Sequence, residues 1–139
     1  MPGAAVSRPV RILLVEDNPL VQAQLREALG EVPGLAIAHV ARTARDATEW
    51  LQRHPDDWDL AVVDIFLADG HGFQVLRACR ERRPWQRAVV YSNYTRDPVR
   101  EHARLAGADA VFDKSFEAEE LVAYCAQRAG EDAQAAPSL

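Results

Sequence analysis

Lysine is nearly missing from this chain. Of its 16 basic residues, Lys114 alone is lysine and the rest are arginine. Cysteine is scarce as well: Cys79 and Cys125 stand far apart, in neither a C-x-x-C nor a metal-ligand spacing, which excludes a disulfide framework and a thiolate zinc site. Both fall in helix-period segments and read as small core residues of a cytoplasmic protein. No apolar run approaches the roughly 20 residues that span a bilayer. The opening "MPGAAVSRPV" has no basic stretch followed by an apolar one, so neither a membrane partner nor a signal peptide is expected. A formal net charge of −5 leaves no basic excess, and direct nucleic-acid binding is not expected. The densest cationic run, "RACRERR" (77–83), falls at a predicted helix end, where cations complement the helix dipole.

Several catalytic signatures are also absent. No glycines follow the first apolar run, so a dinucleotide-binding turn is excluded. The four histidines show no H-E-x-x-H spacing, and no G-x-S-x-G elbow occurs. His71, in "DGHG", reads as a solvated loop residue.

What is present is a regular alternation. With 139 residues and 48% hydrophobic content, the chain suits one domain with a real core. Apolar runs occur at "RILLV" (11–15), "LAIAHVA" (35–41), "LAVVDIF" (60–66), "RAVVYS" (87–92) and "AVF" (110–112). Most are continuous rather than alternating, as strands covered on both faces are. Helix-period segments separate them. The first carries Val21, Leu25, Ala28 and Leu29 on one face, and the second carries Ala44, Ala47 and Leu51 behind Thr43 as N-cap. The third carries Phe73, Leu76 and Cys79 and stops before Pro84. The fourth is predicted to start with Asp97 as N-cap and Pro98 at its first position, ending at Gly107. The fifth carries Leu121, Tyr124, Cys125 and Arg128, with its end expected at Gly130. Residues 1–8 and 131–139 read as flexible tails around a domain spanning 9–130. Five strands alternating with five helices make a doubly wound α/β domain, and such domains bind ligands beyond the carboxyl ends of the strands.

Those ends hold unusual residues. Glu16 and Asp17 close the first run, Asp64 lies in the third, Ser92 closes the fourth and Lys114 follows the fifth. Adjacent acids at a strand end are common surface features, but Asp64 after Ala61, Val62 and Val63 is out of place in a strand. Three carboxylates gathered at one rim suit a hard divalent cation such as Mg²⁺. A carboxylate beside such a cation is a nucleophile toward phosphorus, forming an aspartyl-phosphate. Asp64 is the best nucleophile, with Glu16 and Asp17 holding the metal. The Ser92 hydroxyl and the compact Lys114 ammonium are then placed to meet phosphoryl oxygens.

"VEDNP", "VVDIFLADGHG", "VVYSN" and "GADAVFDKS" occur in this order and together resemble the receiver domain of two-component response regulators. The resemblance implies a flavodoxin-like (βα)5 sandwich with strand order 2-1-3-4-5. It implies that Asp64 accepts a phosphoryl group from the phosphohistidine of a sensor histidine kinase or a histidine phosphotransfer protein. It assigns Glu16, Asp17, Asp64 and the backbone carbonyl of Phe66 to Mg²⁺ (or Mn²⁺), Ser92 to the switch hydroxyl and Lys114 to phosphate binding. Pro19, Leu20, Ser115 and Phe116 become kinase-facing surface, and the region from Pro98 to Gly130 the surface that changes on phosphorylation. Asn93, Tyr94, Val111 and Phe112, with Phe66, occupy positions that tune switching or phosphoryl lifetime.

The sequence departs from the family pattern in places. Leu67 and Ala68 replace a frequent Met-Pro, which deprives that loop of proline's rigidity. Ser115 replaces a proline that commonly follows the lysine in a cis peptide. Asn93 stands where a small residue is common. Val111 replaces an inward-swinging aromatic, leaving Tyr91 or Tyr94 as substitutes. The short stretch after Gly130 leads us to expect a stand-alone switch that signals by contact with a downstream protein, as a monomer or a phosphorylation-dependent dimer. It is not expected to be an enzyme beyond its own phosphorylation and dephosphorylation. A phosphatase with an aspartate nucleophile would want an acid at 66, and Phe66 stands there. The alternatives are an interaction module that switches without phosphate, or a receiver cut from a larger regulator or hybrid kinase.

Overall fold

Every apolar run becomes a strand, and the five strands form one parallel sheet. The computed structural model describes residues 8–135, with side chains through Gly130. In chain order the elements are β1 (Val10–Val15), α1 (Pro19–Gly30), β2 (Leu35–Ala41), α2 (Ala44–Arg53) and β3 (Leu60–Val63), followed by α3 (Gly72–Ala78), β4 (Arg87–Ser92), α4 (Val99–Leu105), β5 (Ala110–Asp113) and α5 (Ala118–Ala135). The sheet order is β2-β1-β3-β4-β5, as expected. β1 pairs with β2 on one side and β3 on the other, so the winding reverses there and a crevice opens at their carboxyl ends.

Successive strand side chains point to opposite faces, and each face is covered. Leu13, Val15, Ala61, Val63, Ala88 and Val90 pack against Ala47, Leu51, Val75, Leu76 and Ala103 of α2, α3 and α4. Ile12, Leu14, Leu60, Val62, Val89 and Tyr91 pack against Leu25, Leu29, Leu121 and Cys125 of α1 and α5. This double cover is why β1, β3 and β4 read as unbroken apolar runs. Below the sheet, buried Gln86 donates to the carbonyls of Pro55 (3.0 Å) and Trp58 (2.8 Å), closing the loops that precede β3 and β4.

Caps explain two helix starts. Asn18 Oδ1 accepts from the N–H groups of Leu20 and Val21, and Thr43 Oγ1 from that of Asp46. Other ends differ from expectation. Pro98, not Asp97, occupies the N-cap of α4, without a side-chain cap, and the Asp97–Pro98 bond is cis. The Lys114–Ser115 bond is trans, since Asp97–Pro98 is the only cis bond among the described residues. α3 ends at Ala78, with buried Cys79 as its C-cap. α5 passes through Gly130 and runs to Ala135. One glycine costs a helix only about 1 kcal/mol, and the Ala, Glu, Asp and Gln residues after it tolerate helix well enough to continue. The tail expected over 131–139 is therefore helical to 135, and residues 1–7 and 136–139 lie outside the described residues. The arginine run also differs. Arg80 donates to the Leu105 carbonyl and Arg82 to that of Gly107, at the carboxyl end of α4, while Arg82 also donates to the carbonyl of Cys79, the C-cap of its own helix, at 3.2 Å.

Candidate functional site

β1 and β3 end side by side, and their last pairings carry the acids. The Glu16 N–H donates to the Ala41 carbonyl and the Asp64 N–H to that of Val15, both at 2.9 Å. The ladder thus holds Glu16 and Asp64 on a rigid frame one residue past each strand. Donor atoms of Glu16, Asp17 and Asp64 all lie within 4.8 Å of one another. Glu16 and Asp64 are buried at 1% and 7% exposure, and Asp17 is half-buried.

The lone lysine bridges them. Lys114 Nζ lies 2.7 Å from Glu16 Oε1 and 2.9 Å from Asp64 Oδ2. Burial pushes the Glu16 carboxyl above its ordinary value, against the pull of the Lys114 hydrogen bond. For Lys114, burial acts to lower the ammonium's value, but hydrogen bonds to the two carboxylates outweigh it and the value rises. The lysine is held charged. The remaining acceptors are also used: the Ile65 N–H donates to Asp64 Oδ1 at 2.8 Å, and the Asn18 N–H to Glu16 Oε2 at 3.0 Å. Three carboxylates against one ammonium leave a net negative site built only of hard oxygen donors, which suits a divalent cation such as Mg²⁺.

The neighbouring loops complete the rim. The Lys114 N–H donates to the Ser92 carbonyl at 2.9 Å, tying the ends of β4 and β5 together. The buried Ser92 hydroxyl accepts from the Tyr94 N–H at 3.1 Å. The rings of Phe66 and Tyr94, both largely exposed, meet edge to face with centroids 4.5 Å apart. Asn93, Pro19, Leu20, Ser115 and Phe116 are exposed on the same rim. Val111 packs into the core beneath α2, α3 and α4, whereas Phe112 meets Tyr124 of α5 on the other face. Tyr91 is buried on that same α5 side, whereas Tyr94 is exposed on the rim beside Phe66.

The loop from Asp64 to α3 is pinned without Met-Pro. Phe66 and His71 form an antiparallel bridge, the Gly72 N–H donates to the Ile65 carbonyl at 2.7 Å, and the Ala44 N–H donates to the Asp69 carbonyl at 2.9 Å. Gly72 is a residue that the sequence reading missed. A Cβ there would run into the Asp64 carbonyl oxygen and lie 3.0 Å from Ile65 Cα. "DGHG" held the signal, since a second glycine so soon after a turn glycine points to a close backbone approach.

Comparison with known proteins agrees with this geometry. The profile of the response regulator receiver domain matches residues 12–126. The chain belongs to that family. Among its relatives, the DNA-binding transcriptional activator DevR/DosR of Mycobacterium tuberculosis is 33% identical over 131 residues, covering 94% of this chain and 57% of that protein. Among solved structures, a LuxR-family two-component response regulator from Aurantimonas sp. matches with a TM-score of 0.74 and 28% identity, over 88% of this chain and 86% of that one. The CheX–CheY–BeF3–Mg²⁺ complex from Borrelia burgdorferi matches with a TM-score of 0.73 and 20% identity, over 89% of both chains. That likeness bears on the fold alone. The receiver described here spans about half the length of many curated relatives it matches. No helix among the described residues is long and apolar enough to cross a membrane.

Proposed function

We propose that this receiver takes a phosphoryl group onto Asp64 from the phosphohistidine of a sensor histidine kinase or a histidine phosphotransfer protein. The observation that carries the reading is the convergence of Glu16, Asp17, Asp64 and Lys114 at one buried rim. In the transfer, an Asp64 carboxylate oxygen forms a bond to phosphorus as the bond from phosphorus to the donor's imidazole nitrogen breaks. The imidazole keeps that electron pair. Glu16, Asp17, Asp64 and the Phe66 carbonyl would hold Mg²⁺ or Mn²⁺, which when bound supplies positive charge against the phosphoryl oxygens.

The chain's own groups do the rest. Lys114, held charged between its two carboxylates, turns to pair with one phosphoryl oxygen, and the Ser92 hydroxyl donates to another. Phe66 and Tyr94 cover one side of the site, limiting water's approach and so lengthening the life of the acyl phosphate. Pro19, Leu20, Ser115 and Phe116 offer an exposed face to the phosphodonor. Output then passes to a downstream protein in the cytoplasm through the surface between Pro98 and Gly130, with the receiver acting as a switch rather than as an enzyme on a separate substrate.

The test is incorporation of phosphate from acetyl phosphate, with and without Mg²⁺. Metal-dependent labelling that disappears in Asp64→Ala is expected. Labelling that persists in Asp64→Ala would overturn the assignment.

A further inference from the structure

Thr95 and Asp113 are buried polar residues, each 8% exposed, that stand outside the acidic cluster. The Thr95 hydroxyl donates to Asp113 Oδ2 at 2.8 Å, across 18 residues of sequence. Asp113 Oδ1 accepts from the Ser115 N–H at 2.7 Å. These hydrogen bonds hold the Asp113 carboxyl below the usual carboxylate range. The Asp113 N–H donates to Glu117 Oε1 at 2.9 Å, and the Arg100 side chain on α4 donates to the Thr95 carbonyl at 2.9 Å. Fixing a charged side chain in so little water is costly unless its acceptors are used, and here both oxygens are.

The position of this pair gives it a role. Thr95 lies three residues beyond Ser92, and Asp113 lies next to Lys114. The loops after β4 and β5 are therefore stapled at two points. One is the hydrogen bond from the Lys114 N–H to the Ser92 carbonyl, and the other is the bond from Thr95 to Asp113. Glu16, Asp17 and Asp64, by contrast, stand at the ends of β1 and β3, outside both stapled loops.

Resting on the receiver reading above, we propose that Thr95 and Asp113 are positioning residues. They fix the separation between the Ser92 hydroxyl and the Lys114 ammonium, so that both meet the phosphoryl group at once. Neither residue touches the metal-holding acids. The staple reaches those acids only indirectly, through the Lys114 ammonium bonded to Glu16 and Asp64, so it acts chiefly on recognition of the phosphoryl group and only weakly on metal binding. Holding two groups in register is worth most when both must engage one ligand together. A hydrogen bond with only a structural role carries no such distinction between the two ligands.

The experiment measures two affinities of the full chain by calorimetry: Mg²⁺ alone, and beryllofluoride, a phosphoryl mimic, at saturating Mg²⁺. Thr95→Val is expected to weaken beryllofluoride binding about five- to tenfold, the scale of one net hydrogen bond. Its Mg²⁺ affinity stays within about twofold, and Thr95→Ser restores the wild-type value. Should Thr95→Val fold poorly, Asp113→Ala removes the acceptor of the Thr95 hydroxyl and is expected to split the two affinities in the same direction. Equal beryllofluoride affinity in wild type and variants overturns the positioning role while leaving the receiver reading intact. A proportional loss of both affinities also overturns it, since that marks a general disturbance. A wild-type chain that binds Mg²⁺ but no beryllofluoride overturns the receiver reading, and the positioning role with it.

Discussion

Glu16 would be a poor residue for the end of β1 if it stood alone. A carboxylate at 1% exposure loses its hydration, and burial pushes its value up. Lys114 changes that balance by lying within hydrogen-bond reach of both Glu16 and Asp64. The same ammonium explains why this arginine-rich chain keeps one lysine. A compact charge on a flexible stem fits between two carboxylates and can turn to a third partner, whereas a planar guanidinium has a fixed fork. Gly72 works at the same scale through absence of a side chain. Because an added Cβ would meet the Asp64 carbonyl, Gly72→Ala should lower stability by roughly 1–3 kcal/mol. It should also slow phosphorylation of Asp64 by about tenfold or more, since small displacements of a reacting group are costly. Urea unfolding and acetyl phosphate kinetics check the two effects, and unchanged values in both would remove this role for Gly72.

Among the elements, β2 and β4 have the bounds that their apolar runs predict, because burial on a sheet face leaves a direct trace in composition. Thr43 was legible as a cap for the same kind of reason: a short polar side chain before a helical stripe satisfies N–H groups locally. Asp97 and Gly130 misled because each obeyed a local rule that its surroundings override. Pro98 takes the N-cap itself, and α5 carries through one glycine. The acids and Lys114 were legible from their places at strand ends. The staple between Thr95 and Asp113 was not, since only the packing of β5 against β4 brings the two residues together.

The loops after β3 and β4 also meet through Phe66 and Tyr94. If this aromatic pair screens the acyl phosphate from water, replacing both with serine should shorten its lifetime several-fold. The Phe66 backbone carbonyl is kept in that variant, so metal binding should persist. Decay followed after removal of the phosphodonor decides this, and an unchanged rate would dismiss the screen.

As a whole molecule, the receiver is one sheet with a core on each face, and it carries a reporter in each. Cys79 lies in the core under α2, α3 and α4, and Cys125 in the core under α1 and α5. Burial pushes both thiols up to about 12, so neither forms a reactive thiolate near neutral pH. Both should resist iodoacetamide in the folded chain. Because the two cores share the same strands, both thiols should become reactive at the same denaturant concentration, as a single cooperative unit requires. Separate midpoints would show that the faces unfold independently.

The central claim is that the chemistry of this molecule resides on one carboxylate. Borohydride reduces an aspartyl phosphate to homoserine, which marks the phosphorylated residue permanently. Peptide mass spectrometry after acetyl phosphate, Mg²⁺ and borohydride should place homoserine at position 64. Homoserine at Asp17 or another aspartate, or none where labelling is complete, would contradict the account.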